Sequence, residues 1–305
     1  MKKIAIVILD YKNKKDTISC IASLEDLILT DISLSVILVN NDTEQVYSPG
    51  MFPSSFSLQV INNTTNTGFA GGNNTGIYYA LSEQADYILL LNNDTIVDGS
   101  LLIELVKVLE QDPGIGLVSP KIYFEKGHEF HKEKYRKSDL GNVIWYAGGI
   151  MDWKNILGRH RGVDELDHGQ YDAIQKTDFA TGCCMLFRSD VIRKTGVFDE
   201  KYFFYYEDSD LNERVKKKKY TVLYVPKATV WHKNAGSTGG SGSTLQDYYI
   251  TRNRLLFGIS YAPFRSKIAL LKESLKLAMQ GRPWQKIGVK DYFLRKFGKG
   301  SYKIT

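Results

Sequence analysis

The chain has 305 residues, 43% hydrophobic and 24% charged, with 40 lysines and arginines against 34 acids and a formal net charge of +6. That is chain enough for one large core or two coupled subdomains, in the composition of a globular protein rather than a disordered one. No apolar run reaches bilayer-spanning length, the three cysteines give neither a disulfide framework nor metal-ligand spacing, and the apolar run after Met1-Lys-Lys stops at Asp10 without a cleavage site, which predicts a cytoplasmic protein.

The charge is unevenly placed. Residues 282–305 hold seven cations against Asp291 alone, so the rest of the chain sums to zero. A neutral body excludes a nucleic-acid-binding face. The basic tail also carries Trp284, Tyr292, Phe293, Phe297 and Tyr302. It fits a peripheral contact with an anionic membrane surface, or else a solvated terminus.

In chain order, residues 4–9 predict a buried strand, 15–27 a helix, 34–39 a second strand and 58–61 a third. A Gly/Asn loop over 66–76 leads into a helix near 77–82. Residues 87–91 predict a fourth strand, 99–110 a helix and 115–118 a short strand. Residues 121–177 lack periodicity and read as an insertion. An apolar stretch at 181–187 precedes a helix over 188–195, closed by Gly196. A helix over 209–219, a strand over 221–225 and a helix over 245–259 follow. Phe264, Ile268, Leu271, Leu275 and Ala278 then form an apolar stripe at helical spacing, which serves core packing or a membrane-facing surface. Strands alternating with helices predict an α/β fold with a mostly parallel sheet covered on both faces. Ligands bind such sheets off the carboxyl ends of the strands. Three ends here are polar: Asp10-Tyr11, Asn40–Asp42 and Asn92–Asp94.

Three further features bear on chemistry. Tyr202–Asp210 places Glu207, Asp208 and Asp210 at a helix start after an aromatic run. Carboxylates beside aromatic walls suit proton abstraction at a sugar site, although acids in a first helical turn also stabilise the macrodipole with no chemistry. Asp94, at a strand end, and His232, after the late strand, are candidate ligands for a divalent cation whose remaining oxygens come from a diphosphate. An imidazole shifts the preference from Mg²⁺ toward Mn²⁺. The four glycines of 66–76 permit close backbone approach to a ligand, with Asn73 and Asn74 as donors. The loop has neither the spacing of a dinucleotide fingerprint nor a G-x-x-x-x-G-K-[ST] pattern.

Segments 66–76, 89–97, 181–188, 196–214 and 230–237 resemble, in order, the motifs of family-2 inverting glycosyltransferases, most closely the bacterial rhamnosyltransferase branch. These are N-x-G-F-A-G-G-N-N-x-G, L-L-N-x-D, G-x-x-M-L-x-R, G-x-F-D-E-x-F-F-x-Y-x-E-D-x-D-L and W/H-H-x-x-G-S, the last with one more residue here between His232 and Gly236. The resemblance covers about residues 1–260. It implies a GT-A fold over 1–262: a nucleotide-sugar half over 1–120, the insertion over 121–177, and an acceptor and catalytic half over 178–262. A helical basic extension over 263–305 follows.

Residue by residue, the resemblance implies Asp208 as catalytic base and Asp94 as the last acid of a D-x-D whose first place is Asn92. With His232, Asp94 would hold Mg²⁺ or Mn²⁺. Tyr11, Gly68, Gly71, Gly72, Asn73 and Asn93 are expected around the nucleotide, and Asn40 or Asp42 on the nucleoside. Arg252 and Arg254 are expected on the diphosphate, or else paired with surface acids. Asp178, Tyr206, Glu207 and Trp231 are expected at the sugar or acceptor. The donor implied is dTDP-rhamnose, with a UDP-sugar as the alternative. The acceptor is a glycan or a lipid-linked sugar at the inner face of the cytoplasmic membrane, as in O-antigen or capsule assembly. Two rivals from other classes are a sugar-nucleotide nucleotidyltransferase, which needs a basic Gly-rich loop where Asp10-Tyr11-Lys12-Asn13 stands, and a non-catalytic nucleotide-sugar-binding module.

Overall fold

A computed structural model of the chain describes residues 1–52, 54–234 and 242–303. The last three residues of the 230–237 motif lie outside the described residues. Four strands, β1 (Lys2–Asp10), β2 (Ile32–Asn40), β3 (Ser57–Asn62) and β4 (Tyr87–Asn92), lie side by side in the order β3-β2-β1-β4, all parallel. Alternation along β1 divides the core. Ile4, Ile6 and Ile8 face one layer with α1 (Lys14–Ser23) and α3 (Leu101–Leu109), while Ala5 and Val7 face another with α2 (Gly68–Ser82), α4 (Ser189–Thr195) and α5 (Glu207–Lys217). The expected α/β sheet with helices on both faces is therefore present.

Beyond β4 the sheet becomes mixed. β12 (Cys184–Arg188) runs antiparallel between β4 and β6 (Ile115–Phe124). β13 (Thr221–His232) pairs parallel with β6 and antiparallel with the short β5 (Thr95–Val97). β13 thus carries the strand expected at 221–225 through the strand-like residues to 230 and on to His232. Its register shifts between Val225 and Thr229, where Pro226 has no N–H to offer a ladder.

Two expectations are corrected. The Gly/Asn segment is no loop: α2 begins at Gly68, and its glycines let it lie close on the sheet. A side chain at Gly72 would meet Leu9 and one at Gly76 would meet Val7. The region 121–177 is not wholly irregular either. Residues 121–124 complete β6, and the rest includes β7 (Val143–Tyr146), β8 (Gly149–Asp152), β9 (Leu157–His160), β10 (Glu165–Leu166) and β11 (Gln175–Lys176).

α6 (Thr244–Tyr261), α7 (Phe264–Gln280) and α8 (Pro283–Phe293) complete the described chain. The basic tail is folded onto α6. Trp284 and Tyr302 pack against Tyr248, Arg282 pairs with Asp247, and the buried Asp291 accepts hydrogen bonds from Tyr248 Oη and Ser301 N–H. Those two tail aromatics point inward, which corrects the expectation that they serve a membrane contact.

Candidate active site

Register gathers the polar strand ends. Asp10 pairs with Asn40, Leu9 with Asn92, and Asn40 with Asn62, so the ends of β1, β2, β3 and β4 share one edge. β1 is where strand order reverses, the usual position of a ligand crevice in an open α/β sheet. Asp10 is fully buried there. It accepts hydrogen bonds from Thr17 Oγ1, Tyr47 Oη and Asn93 Nδ2 at 2.6, 2.9 and 2.8 Å. Asn93 is thereby locked to Asp10, which holds the turn carrying Asp94.

β5 turns back directly after Asp94 and pairs with β13, setting His232 opposite Thr95. His232 Nε2 stands 3.0 Å from Asp94 Oδ1. Two adjacent octahedral ligands, each about 2.1 Å from a Mg²⁺-sized ion, stand about 3.0 Å apart, so this pair fits such a cation. Among the described residues no third His, Cys, Asp or Glu completes a protein-only metal site, so the remaining ligands would be water or substrate oxygens. His232 Nδ1 is buried with no hydrogen-bond partner among the described residues.

The segment carrying β7 and β9 reaches back to this pair. The Trp145 ring lies edge-on between His232 and His160, with centroids at 4.6 and 4.3 Å. His160 Nδ1 donates to Trp145 O at 3.2 Å, and burial lowers the His160 pKa to about 4, so its ring is neutral near pH 7. Trp145 and His160 escaped sequence reasoning because nothing periodic marks residues 121–177.

Asp208 joins the same edge through two backbone links. Asn92 N–H, at the end of β4, donates to Cys183 O at 2.8 Å, and Gly182 N–H donates to Asp208 Oδ2 at 3.1 Å. Ser209 N–H and Oγ–H donate to Asp208 Oδ1 at 2.6 and 3.2 Å. Burial raises the Asp208 pKa above its ordinary value, and these hydrogen bonds oppose the rise. A half-buried carboxylate of raised basicity, with acceptor capacity left on Oδ2, can take a proton.

The run before Asp208 is strained. Phe203, Tyr205 and Tyr206 all have left-handed backbone, with φ of 63°, 70° and 73°. α6 holds that shape: Asn253 Nδ2 donates to Tyr202 O, Phe204 O and Tyr205 O, and Arg252 Nη2 donates to Lys201 O and Tyr202 O. Phe203 O also accepts from the Phe69 N–H at the start of α2, where Gly68 has φ 74° and any side chain would strike Phe203.

The other expected contact residues lie as follows. Arg252 is fully buried, and its remaining N–H groups go to Asn253 Oδ1, Tyr248 Oη, Lys296 O and Gly298 O, leaving none for a diphosphate. Arg254 forks onto Glu273 and donates to Asn155 O, the surface-acid alternative. Gly68, Gly71 and Gly72 are helix-packing positions, a side chain at Gly71 meeting Thr67. Asn73 Nδ2 is spent on Phe69 O. Asn40 is saturated by Gln45 O, Asn62 Oδ1 and Asp42 N–H, whereas Asp42 accepts from Glu44 N–H at the crevice edge. Tyr206 Oη is spent on Ile156 O. Trp231 faces away from His232, donating to Gly141 O and stacking on Tyr123. Asp178 accepts from Met151 N–H. Tyr11 follows Asp10 at the crevice, half-buried.

Glu207 is buried, with Oε2 unpaired among the described residues. Burial first, and then the charge of Asp208, raises its pKa well above the ordinary 4.5. The folded protein therefore keeps a proton that the unfolded chain releases, so this group costs stability as pH rises above the unfolded pKa. Glu207→Gln should melt higher than the parent protein at about pH 8, with the difference closing toward about pH 4. A difference independent of pH would show that Glu207 does not titrate in this way.

The sequence pattern of a family described as "Glycosyltransferase like family 2" matches residues 4–258. The chain is 24% identical over 254 residues to the low-salt glycan biosynthesis hexosyltransferase Agl10 of Haloferax volcanii, covering 83% of this chain and 74% of that protein. It is 46% identical over 154 residues to the N-acetylglucosaminyl-diphospho-decaprenol L-rhamnosyltransferase of Mycobacterium tuberculosis, covering 50% of this chain and 49% of that protein. The match thus spans about half the length of that second relative. Among solved structures, GalNAc-T7 with UDP, GalNAc and Mn²⁺ aligns at a TM-score of 0.64 and 14% identity, over 97% of this chain and 54% of that one. The Pyrobaculum calidifontis mannosyltransferase PcManGT with GDP-Man and Mn²⁺ aligns at 0.55 and 13%, over 99% and 76%. At such identities these likenesses establish the fold alone.

Proposed function

This chain belongs to the glycosyltransferase-like family 2 and has a GT-A-like fold, and from that premise we propose that it is an inverting rhamnosyltransferase. In this reading it moves L-rhamnose from dTDP-rhamnose to a hydroxyl of a polyprenyl-diphosphate-linked sugar, in polysaccharide assembly. The donor and acceptor are supported by the 46% identity to the mycobacterial L-rhamnosyltransferase. The observation that carries the reaction type is the convergence of Asp208, Asp94 and His232 on one sheet edge.

In the proposed step the acceptor oxygen attacks the anomeric carbon as the bond to the diphosphate oxygen breaks. Asp208 Oδ2 takes the hydroxyl proton, and the raised basicity conferred by burial favours that transfer. Gly182 N–H and Ser209 orient the carboxylate. Asp94 and His232 would hold Mg²⁺ or Mn²⁺, which supplies positive charge for the departing diphosphate when bound. Asp42 and Tyr11 are the crevice residues left for the nucleoside, and Trp145 is placed to wall the donor side.

Thermal melts with dTDP-rhamnose, UDP-sugars and GDP-mannose, each with Mn²⁺, test the donor. A ligand at about 100 times its Kd stabilises by about 2.7 kcal/mol, an easily read shift. If no nucleotide sugar raises the melting temperature, the reading fails. His232→Ala should raise the Mn²⁺ concentration needed for the nucleoside-diphosphate-dependent shift by about 10-fold or more. An unchanged Mn²⁺ titration would reject His232 as a ligand.

A further inference from the structure

α7 is amphipathic in an inverted sense. Its buried positions are Leu270 and Ser274, whereas Phe264, Leu275 and Met279 are 77%, 60% and 68% exposed. With Ile268 and Leu271, 40% and 37% exposed, Phe264 and Leu275 belong to the stripe noted in the sequence, and Met279 widens it beside Ala278, on the outer side of the helix. Helical spacing puts Lys267 along one border of the stripe and Arg265, Lys272 and Lys276 along the other. α8 extends the patch. Phe293 is 54% exposed, and a groove between the two helices is lined by Leu275, Ala278, Ile287 and Val289, with Lys286 and Lys290 among its lining residues. Soluble surfaces seldom keep so long an apolar stripe uncovered.

Charge selects the occupant. Residues 263–303 contain eleven lysines and arginines against Glu273, which is paired with Arg254, and Asp291, which is buried. A second copy of the chain would set cation against cation across the stripe, a like-charge arrangement that opposes association. An anionic surface with an apolar interior satisfies both features: the stripe enters the acyl boundary while the bordering lysines and arginine extend their stems outward to the headgroups. No helix among the described residues is long and apolar enough to cross a bilayer.

We propose that the outer face of α7, continued by the α7–α8 groove, docks in the plane of an anionic lipid bilayer. The contact is a folded helical surface rather than a basic tail. It does not depend on the identity of the sugar donor.

Truncating the tail is the wrong test, because Lys296 and Gly298 supply carbonyls to Arg252. Surface substitution avoids this, since Leu275 and Met279 are exposed. The full chain should float with vesicles of phosphatidylcholine mixed with phosphatidylglycerol, and much less with phosphatidylcholine alone. The Leu275→Asp, Met279→Asp double variant should bind the mixed vesicles at least about 10-fold more weakly. Its circular dichroism and nucleotide-sugar thermal shift should be unchanged. Lys272→Gln with Lys276→Gln should weaken binding to the mixed vesicles alone, and added salt should do the same. Equal flotation of the parent and the Asp double variant would overturn the proposal. So would a parent chain that ignores anionic vesicles and sediments as a dimer that the double variant dissociates. Vesicle binding without any nucleotide-sugar shift would leave this inference standing while removing the rhamnosyltransferase reading.

Discussion

Asp208→Asn should remain folded and bind the nucleotide sugar while transfer falls by about 10²–10⁴-fold. The amide cannot accept the hydroxyl proton, so the acceptor oxygen would attack without a base. The local fit is nearly kept. The amide oxygen can accept from Ser209 N–H and Oγ–H, and the amide nitrogen then faces Gly182 N–H, an unfavourable contact of about 1–3 kcal/mol. Removing a half-buried charge, which burial already disfavours, acts in the opposite direction. The melting temperature should therefore change little. Single-turnover transfer, with donor affinity from calorimetry, separates the two effects. Near-parental turnover would eliminate Asp208 as the base. In the parent enzyme, transfer should decline as pH falls through the raised Asp208 pKa, because only the carboxylate accepts a proton.

Arg252→Ala should destabilise the fold by about 3–5 kcal/mol, from buried carbonyls left unsatisfied at about 1–3 kcal/mol each and from the cavity left by the side chain. The substitution leaves the carbonyls of Lys201, Tyr202 and Gly298, which Arg252 now bonds, without that donor. The strained run from Phe203 to Tyr206 would lose part of what holds it, although Asn253 keeps its three bonds. A fall of about 10 °C in Tm is expected. Arg252→Lys should recover little, because one ammonium cannot span carbonyls on both sides of the planar guanidinium. In the fraction still folded at low temperature, donor affinity should match the parent. A stable Arg252→Ala protein with weakened donor binding would restore the diphosphate role that the hydrogen bonds exclude.

The two arginines mark where sequence reading stops. Their spacing in Tyr248–Arg254 resembles a substrate-contacting motif, yet burial decides their use: one is enclosed by backbone carbonyls and the other forks onto Glu273. The Gly/Asn segment meets the same limit. Glycines that permit close approach to a ligand equally permit a helix to lie close on a sheet, and only the positions of Leu9 and Val7 show which occurs. Asn40 and Asp42 were indistinguishable in sequence, because both belong to one strand-end cluster. The Asn40 amide turns out to be saturated by Gln45 and Asn62.

Other features were legible because their signals are local. Apolar runs ending in Asp10, Asn40 and Asn92 placed the parallel strands and their shared edge, since a strand buried on both faces must be apolar and its end need not be. Five ordered motifs pointed to the family, which the match over residues 4–258 establishes. Periodicity alone exposed the stripe on α7, but amphipathic spacing is the same whether the apolar face turns inward or outward. Partners far apart in the chain were beyond reach. His232 meets Asp94 because β5 reverses onto β13, and Trp145 reaches His232 from a segment whose sequence shows no periodicity. Local chemistry thus determined which segments become strands, where polar ends collect and which carboxylate follows the aromatic run. Tertiary packing alone decided which polar groups are consumed by the fold and which stay available for chemistry, because burial leaves a buried donor or acceptor a cost unless a partner meets it.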